Sequence, residues 1–447
     1  MRVLNRPVNS VAPRGGARGV AFGVMRAITG QGAYANLALS EGLGSAGLEP
    51  RDAALVTDVV AGACRALTTL DKVIEAASGR PLKSFQPAIV DLLRLGSYEW
   101  FSGRVPAHAA VNTYVDLARD VVGERATGVM NAVMRRVTSS AGDEWVQRLG
   151  AADSRAADAL TTWHPQWIVN EYISLLGREE ALVALRANNE PAPTTLAVRP
   201  GFGSVDEYVA AGATRGRWSP YAVTVTGDPS VWLRDGQAVV QDEGSQLVCL
   251  ALTRVNAPNG DWLDACAGPG GKTSLLAGLQ PDGCLVASEL HEHRARLVLQ
   301  AAPTAVVMVA DATRPAWAQE HFARVMADVP CTGLGALRRR PDARWRRGPK
   351  DVDDLHDLQV RILVASVEST KPGGVVAYVT CSPHRSETID VVSKAMRKRR
   401  AELIDAPALL PEVPSCASTP DGRFLQLWPH RHGTDAMFMA LLRVPLD

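Results

Sequence analysis

The stretch Asp264-Ala265-Cys266-Ala267-Gly268-Pro269-Gly270-Gly271-Lys272-Thr273 joins a short apolar run to a helix-like one. A buried strand that breaks at glycines and restarts as a helix brings free N–H groups and a helix dipole to the strand's carboxyl end. Polar or anionic ligand groups are favoured there. A phosphate loop would need its first glycine at position 266, which is Cys266. The dinucleotide fingerprint would need a third glycine at position 273, which is Thr273, and Pro269 separates the first two. A smaller nucleoside without phosphate remains, and S-adenosylmethionine fits. The expected cofactor turn is Cys266, Ala267, Gly268, Pro269, Gly270, Gly271 and Lys272. The alternative is a plain glycine-rich turn with no ligand.

Three carboxylates end the apolar runs that follow. Glu289, 21 residues after Gly268, suits ribose hydroxyls; Asp311 is placed for the adenine; Asp328 opens Asp328-Val329-Pro330-Cys331. Cys331 and Cys381 follow neighbouring runs, and adjacent strand ends lie about 5 Å apart, so the two thiols can flank one base. A lone cysteine is most often a small buried hydrophobe, whereas two at one sheet edge point to chemistry. Carbon 5 of cytosine is a weak nucleophile until a thiolate adds to carbon 6. That chemistry needs a nucleophile, a group for the charge at N3, and a base; Cys381, Asp328 and Cys331 can supply them.

Elements that position these residues are legible around them. Residues 241–447 alternate strand and helix, as in a largely parallel sheet covered on both faces. Expected strands are 262–264, 285–289, 305–310, 324–327 and 375–380, then a closing hairpin of 424–428 and 437–444 with the last strand antiparallel. Residues 17–145 repeat apolar positions at helical spacing (Leu55, Val56, Val59, Val60, Ala63, Leu67, Leu70), so an all-helical domain is expected. On residues alone it is a packing or dimerisation module. Residues 146–240 read as a helical connector and a small α/β segment, with a helix at 205–211 and strands at 194–199, 222–225 and 231–233.

At 447 residues the chain spans two or three domains; 46% hydrophobic and 21% charged residues are those of a soluble globular protein. Net charge is +1, but residues 1–40 carry no acid, and arginine is dense at 338–347. Such patches suit phosphates at defined places. Residues 1–16 read as a flexible basic tail. No apolar run of 18 residues exists, and no signal-peptide pattern, so a cytoplasmic protein without a membrane partner is expected. Seven cysteines without a C-x-x-C pair argue against metal and against a disulfide framework.

Several stretches resemble known families. Ala17–Ala21, Asp91–Glu99, Pro106–Asn112 and Gly128–Arg136 look like the NusB-type RNA-binding domain, which implies that Arg14 and Arg18 contact phosphates. The Asn188–Pro193 turn and the layout after it are similar to the ferredoxin-like segment of RNA 5-methylcytosine methyltransferases. Gln241–Gln246, Asp264–Thr273, Asp328–Gly335 and Thr380-Cys381-Ser382 resemble the Sun/Fmu (RsmB-type) family of RNA cytosine-5 methyltransferases.

The resemblance implies a Rossmann-like α/β catalytic domain, S-adenosylmethionine as cofactor, Cys381 as nucleophile and Cys331 as the release residue. Residues 337–347 are similar to the family's Arg-Arg-x-Pro-Asp-x-x-Trp stretch, which implies RNA contacts by Arg338, Arg339, Arg340, Arg344, Trp345 and Arg346. The NusB-like domain points to 16S ribosomal RNA of the small subunit; the sequence does not fix the oligomeric state, and a monomer is expected. After Thr-Cys-Ser the sequence departs from the family's acidic run, and only Glu387 matches. Alternatives are a transfer RNA substrate, a non-catalytic RNA-binding factor, and DNA cytosine methylation with Cys331 as nucleophile, against which the Thr-Cys motif and basic segment speak.

Overall fold

The computed structural model of the chain describes residues 15–233, 236–280, 283–419 and 421–446. It divides into two compact units, Met1–Asn170 with Arg339–Arg346, and Glu171–Arg338 with Arg347–Asp447. This division differs from the expected segments: residues 146–170 and 339–346 both go with the first unit.

The first unit is helical throughout its described residues. Gly16–Gln31, Ala35–Ala46, Pro50–Ser78, Pro87–Phe101, Ala107–Val121 and Glu124–Val137 form its body, with Gly142–Gly150 and Ser154–Thr162 after them. Pro50 and Pro87 each sit in a first helical turn, where the missing N–H costs nothing. The spaced residues Val56, Val59, Val60, Ala63 and Leu70 face the core with Leu92, Leu93, Leu95, Tyr114 and Met130. The helix Pro50–Ser78 is long and apolar enough to cross a membrane by length and composition, but most of its apolar stretch is buried.

In the second unit, β1 (Thr194–Val198), β2 (Thr214–Arg215), β3 (Ala222–Val225) and β4 (Ala238–Val240) make an antiparallel sheet in the order β2-β3-β1-β4. The helix expected at 205–211 spans Val205–Ala210. The strand expected at 231–233 is instead a 3₁₀ turn, Pro229–Trp232, opened by Pro229 and capped by Asp228, whose carboxylate accepts from the Ser230 N–H. The fourth strand lies later, at Ala238–Val240.

The second sheet has eight strands: β5 (Trp262–Asp264), β6 (Leu285–Glu289), β7 (Val306–Val309), β8 (Phe322–Asp328), β9 (Thr370–Thr380), β10 (Glu402–Ile404), β11 (Leu425–Gln426) and β12 (Phe438–Arg443). The order is β10-β12-β9-β8-β5-β6-β7, with β11 on β12. Strands β5 to β9 pair in parallel, and β12 runs antiparallel to β9. This is the Rossmann-like sheet with an antiparallel last strand. β10, an edge strand, was not foreseen.

Both faces of this sheet are covered, and the period of two decides which residue goes where. Val375, Ala377 and Val379 pack on one face with Leu247, Val248 and Leu276. Val376 and Tyr378 pack on the other with Val360, Leu363 and Val391. The register aligns Asp264 with Met326 and Asp328 with Val379. The carboxyl ends of β6, β5, β8 and β9 therefore form one row.

Candidate active site

The turn after β5 is locked by its own side chains. Thr273 Oγ1 donates to Asp264 Oδ2 at 2.7 Å, fixing the first helical turn of Gly271–Leu279 against the strand it left. Asp264 is buried, and burial pushes its carboxyl up to about 7. Gly270 has φ of 111°, a conformation only glycine adopts without strain. At Gly268 the requirement is space: a Cβ there would lie 2.1 Å from Glu289 Oε2. The peptide between Gly268 and Pro269 is cis.

Glu289 ends β6 and is buried. Its Oε2 accepts from the Gly268 N–H at 3.1 Å and its Oε1 from the His291 N–H at 3.0 Å. Each oxygen keeps a lone pair for a hydroxyl donor. Arg294 completes the corner: its guanidinium donates to the Gly268 carbonyl and stands 3.7 Å from Glu289. Nothing in the sequence marks Arg294 beyond its place five residues after Glu289, in the first turn of the helix Glu292–Ala301. Asp311, just past β7, is exposed; its Oδ1 accepts from the N–H and hydroxyl of Thr313, each at 2.8 Å. Those bonds hold its carboxyl below the usual carboxylate range.

On the other flank, Lys272 Nζ donates to Asp328 Oδ2 at 2.8 Å and lies 3.4 Å from Ser245 Oγ. Burial works against the Lys272 ammonium, but Asp328 outweighs it and its pKa is raised. Lys272 is therefore held as the ammonium against Asp328.

Cys331 Sγ and Cys381 Sγ are 3.4 Å apart, both partly exposed. The hydrogen bond to Cys381 and burial together raise the Cys331 thiol well above its ordinary value, so it stays protonated at neutral pH. The Cys331 loop is held from below by Glu387. Its Oε1 accepts from the Thr332 N–H at 2.8 Å and from Gln359 Nε2 at 3.1 Å, and its Oε2 from Thr332 Oγ1 at 2.5 Å. Cys381 is tied in by its carbonyl, which accepts from the Gly335 N–H at 2.8 Å.

The arginine-rich segment departs from expectation. Arg338 is buried and pairs with Asp435 at 3.1 Å and Asp242 at 3.8 Å. Arg344 is fully buried and donates to the Trp163 carbonyl at 2.8 Å. Neither is open to an RNA backbone: an arginine enclosed in protein must have its charge and N–H groups met internally. Trp345 is half-buried with its indole N–H on the Cys64 carbonyl. Arg346 pairs with Asp342 and with the carbonyls of Gly32 and Ala33. Arg339 is half-buried and Arg340 exposed. Arg18 forms a two-pronged ion pair with Glu99, at 2.9 and 2.7 Å, and Glu99 also accepts from the Tyr114 hydroxyl. Arg14 lies outside the described residues.

A glycine turn closed on a buried acid, an acidic residue at the next strand end and an antiparallel last strand define an S-adenosylmethionine-dependent methyltransferase domain. The donor set fits that cofactor: the Glu289 oxygens can accept from ribose hydroxyls, and the turn 266–272 with its helix N-terminus can meet polar groups beside them. The profile of 16S rRNA methyltransferase RsmB/F matches residues 250–443, and that of the NusB family matches residues 16–139.

A Mycobacterium tuberculosis protein, named only as a methyltransferase, is 44% identical over 443 residues, covering 96% of each chain. The ribosomal RNA small subunit methyltransferase B of Vibrio cholerae is 33% identical over 75% of this chain and 79% of its own. The crystal structure of PH0851 superposes with a TM-score of 0.79 at 19% identity, over 98% of this chain and 99% of its own. A methyltransferase homolog from Pyrococcus horikoshii gives 0.54 at 25% identity, over 65% and 99%. The chain belongs to the RsmB/F family: it is an S-adenosylmethionine-dependent RNA methyltransferase with an N-terminal NusB domain.

Proposed function

We propose that the protein methylates carbon 5 of a cytosine in 16S ribosomal RNA through a covalent bond between Cys381 and carbon 6. The observation that carries this reading is the pair of sulfurs, Cys331 and Cys381, 3.4 Å apart beside the Lys272–Asp328 pair. The names of the ribosomal RNA relatives support the substrate.

The cofactor supplies an electrophilic methyl group on a sulfonium. Cys381, its thiol proton lost to water, adds to carbon 6 as the thiolate, and the charge that develops at N3 is met by the Lys272 ammonium held on Asp328. Carbon 5 then takes the methyl. A water takes the carbon 5 proton, the electrons of that carbon–hydrogen bond restore the ring double bond, and the carbon 6–sulfur bond breaks to free Cys381 as a thiolate. Cys331, protonated and in contact with that sulfur, assists this release. A thiol reaches carbon 6 only when the base is unpaired or turned out of its helix. Of the arginine-rich segment, Arg340 offers an exposed guanidinium to a phosphate. Within the NusB domain, Arg18 keeps a partly exposed edge outside its pair with Glu99.

Bisulfite sequencing of ribosomal and transfer RNA from cells with and without the protein tests the reading. One 16S cytosine that loses protection without the protein is expected. Loss at a transfer RNA cytosine would move the substrate, and no loss anywhere would remove the carbon-5 assignment.

A further inference from the structure

Gln241 follows β4 and precedes the helix Glu243–Arg254, in a buried position. Its backbone is pinned on both sides: the N–H donates to the Thr195 carbonyl at 3.0 Å, and the carbonyl accepts from Gln246 Nε2 at 3.3 Å. Its side chain is a different matter. Residue exposure is only 6%, yet neither Nε2 nor Oε1 has a hydrogen-bond partner. Gln246, one turn on, shows what the same residue type does when it serves the fold. Its Oε1 accepts from Ser219 Oγ, and its Nε2 donates to the carbonyls of Leu196 and Gln241.

Enclosing a carboxamide with both polar ends unmet is costly, and such a group calls for a partner. The surroundings say which. The heavy atoms nearest to a Cβ placed at Gly271 would be Cγ, Cδ and Nε2 of Gln241, all at 3.9 Å. Gly271 is the first residue of the nine-residue helix Gly271–Leu279, so the amide stands at that helix's N-terminus. There the unpaired N–H groups and the dipole favour a carboxylate.

We infer that Gln241 binds the α-amino-acid end of S-adenosylmethionine, donating from Nε2 to the carboxylate and accepting the ammonium's proton at Oε1. The inference rests on the cofactor assigned above. It is consistent with the order of groups along the sheet edge: Glu289 at the end of β6 for the ribose, the turn of β5 in the middle, and Gln241 beyond Gly271. The methyl-bearing sulfur then falls on the side of Lys272 and the two thiols. Gln241 is thus a specificity residue. It separates the complete cofactor from nucleosides that share the adenine and ribose but lack the amino acid.

The test is calorimetric titration of the full chain with two ligands, S-adenosylhomocysteine, which has the amino-acid end, and 5′-methylthioadenosine, which lacks it. Gln241→Met keeps the volume and removes both polar atoms; Gln241→Glu keeps the shape and faces the carboxylate with a second one. Both variants are expected to bind S-adenosylhomocysteine at least about tenfold more weakly, with methylthioadenosine affinity within about twofold of the parent. The ligand-free melting temperature of Gln241→Met is expected to be unchanged or higher, because an unmet amide is gone. Equal weakening for both ligands, or full affinity of either variant for S-adenosylhomocysteine, overturns the inference while leaving the cofactor in place. Absence of heat from the unsubstituted chain with either ligand overturns the nucleoside site itself, and the inference with it.

Discussion

Cys331 Sγ and Cys381 Sγ meet at 3.4 Å although 50 residues separate them, because β8 and β9 are parallel neighbours whose carboxyl ends lie side by side. The Cys331 thiol is held protonated by burial and by its bond to Cys381. In the mechanism we propose, Cys381 is the nucleophile.

Cys381→Ala is therefore expected to lose methyl transfer by about a thousandfold or more, since removal of a covalent nucleophile leaves only binding and positioning. Cys331→Ala is expected to attack but not release. RNA joined to the protein through Cys381 would appear as a slow band on a denaturing gel. A freely turning-over Cys331→Ala variant, without that band, would show that the second thiol plays no part in release.

Glu387 carries the next prediction. One buried carboxylate accepts from the Thr332 N–H, the Thr332 hydroxyl and Gln359. Its backbone carbonyl also accepts from the Tyr378 hydroxyl at 2.6 Å. Glu387→Gln places a donor where acceptors are needed, at a cost of about 1–3 kcal/mol. The loop that presents Cys331 should loosen: kcat falls about tenfold and adduct accumulates, while S-adenosylhomocysteine affinity is unchanged in calorimetry. Weakened cofactor binding would instead make Glu387 a general support of the sheet.

The placement of Glu289, Asp328, Cys331 and Cys381 on one sheet edge was legible because each ends or follows an apolar run, and neighbouring parallel strands end on one edge. The helices of the first unit were legible because Leu55 to Leu70 repeat at helical spacing. Arg338 and Arg344 were not, because burial of an arginine depends on partners far away in sequence. Asp435 lies 97 residues from Arg338, and the Trp163 carbonyl 181 from Arg344. β10 escaped because Glu402-Leu403-Ile404 is too short to show alternation; it exists by pairing with β12. The turn at Pro229–Trp232 escaped because Val231 and Trp232 look strand-like while the capping Asp228 and Pro229 decide otherwise.

Asp264 makes stability depend on pH in a defined direction. Unfolded, its carboxyl titrates near 4; folded, burial lifts it to about 7. Between these values the native state holds a proton the unfolded chain has lost. The contribution is fully present below about pH 4, falls as pH rises and is gone above about 7. Asp264→Asn keeps an acceptor for Thr273 and removes the titration. Its melting temperature should gain on the parent progressively from pH 4 to 7, a difference of about 3–4 kcal/mol at its plateau. A constant offset across that range would mean that Asp264 is already ionised in the fold.

Lys272 and Asp328 should behave as one unit. Their side chains are 13% and 28% exposed, so breaking the pair strands a largely buried charge, worth about 3 kcal/mol. Lys272→Met and Asp328→Asn are each expected to destabilise strongly, and the double variant to cost less than their sum. A double-mutant cycle by chemical denaturation measures this. Strict additivity would mean that solvent, not the partner, satisfies each group.

Arg340 and Arg344 separate the two uses of the basic segment. Arg344 is fully enclosed and donates to the Trp163 carbonyl, whereas Arg340 is exposed. Arg344→Ala removes a buried charged group with its hydrogen bond and should lower stability by about 2 kcal/mol or more. Arg340→Ala should change stability by less than about 0.5 kcal/mol. RNA binding should show the reverse order once the chain is folded. In filter binding across a salt series, loss of one phosphate contact at Arg340 should lower the slope of log affinity against log salt by about 1. Arg344→Ala, assayed well below its melting temperature, should keep the parent slope. A reduced slope for Arg344→Ala with unchanged stability would place its guanidinium on the RNA and reverse the assignment drawn from its burial.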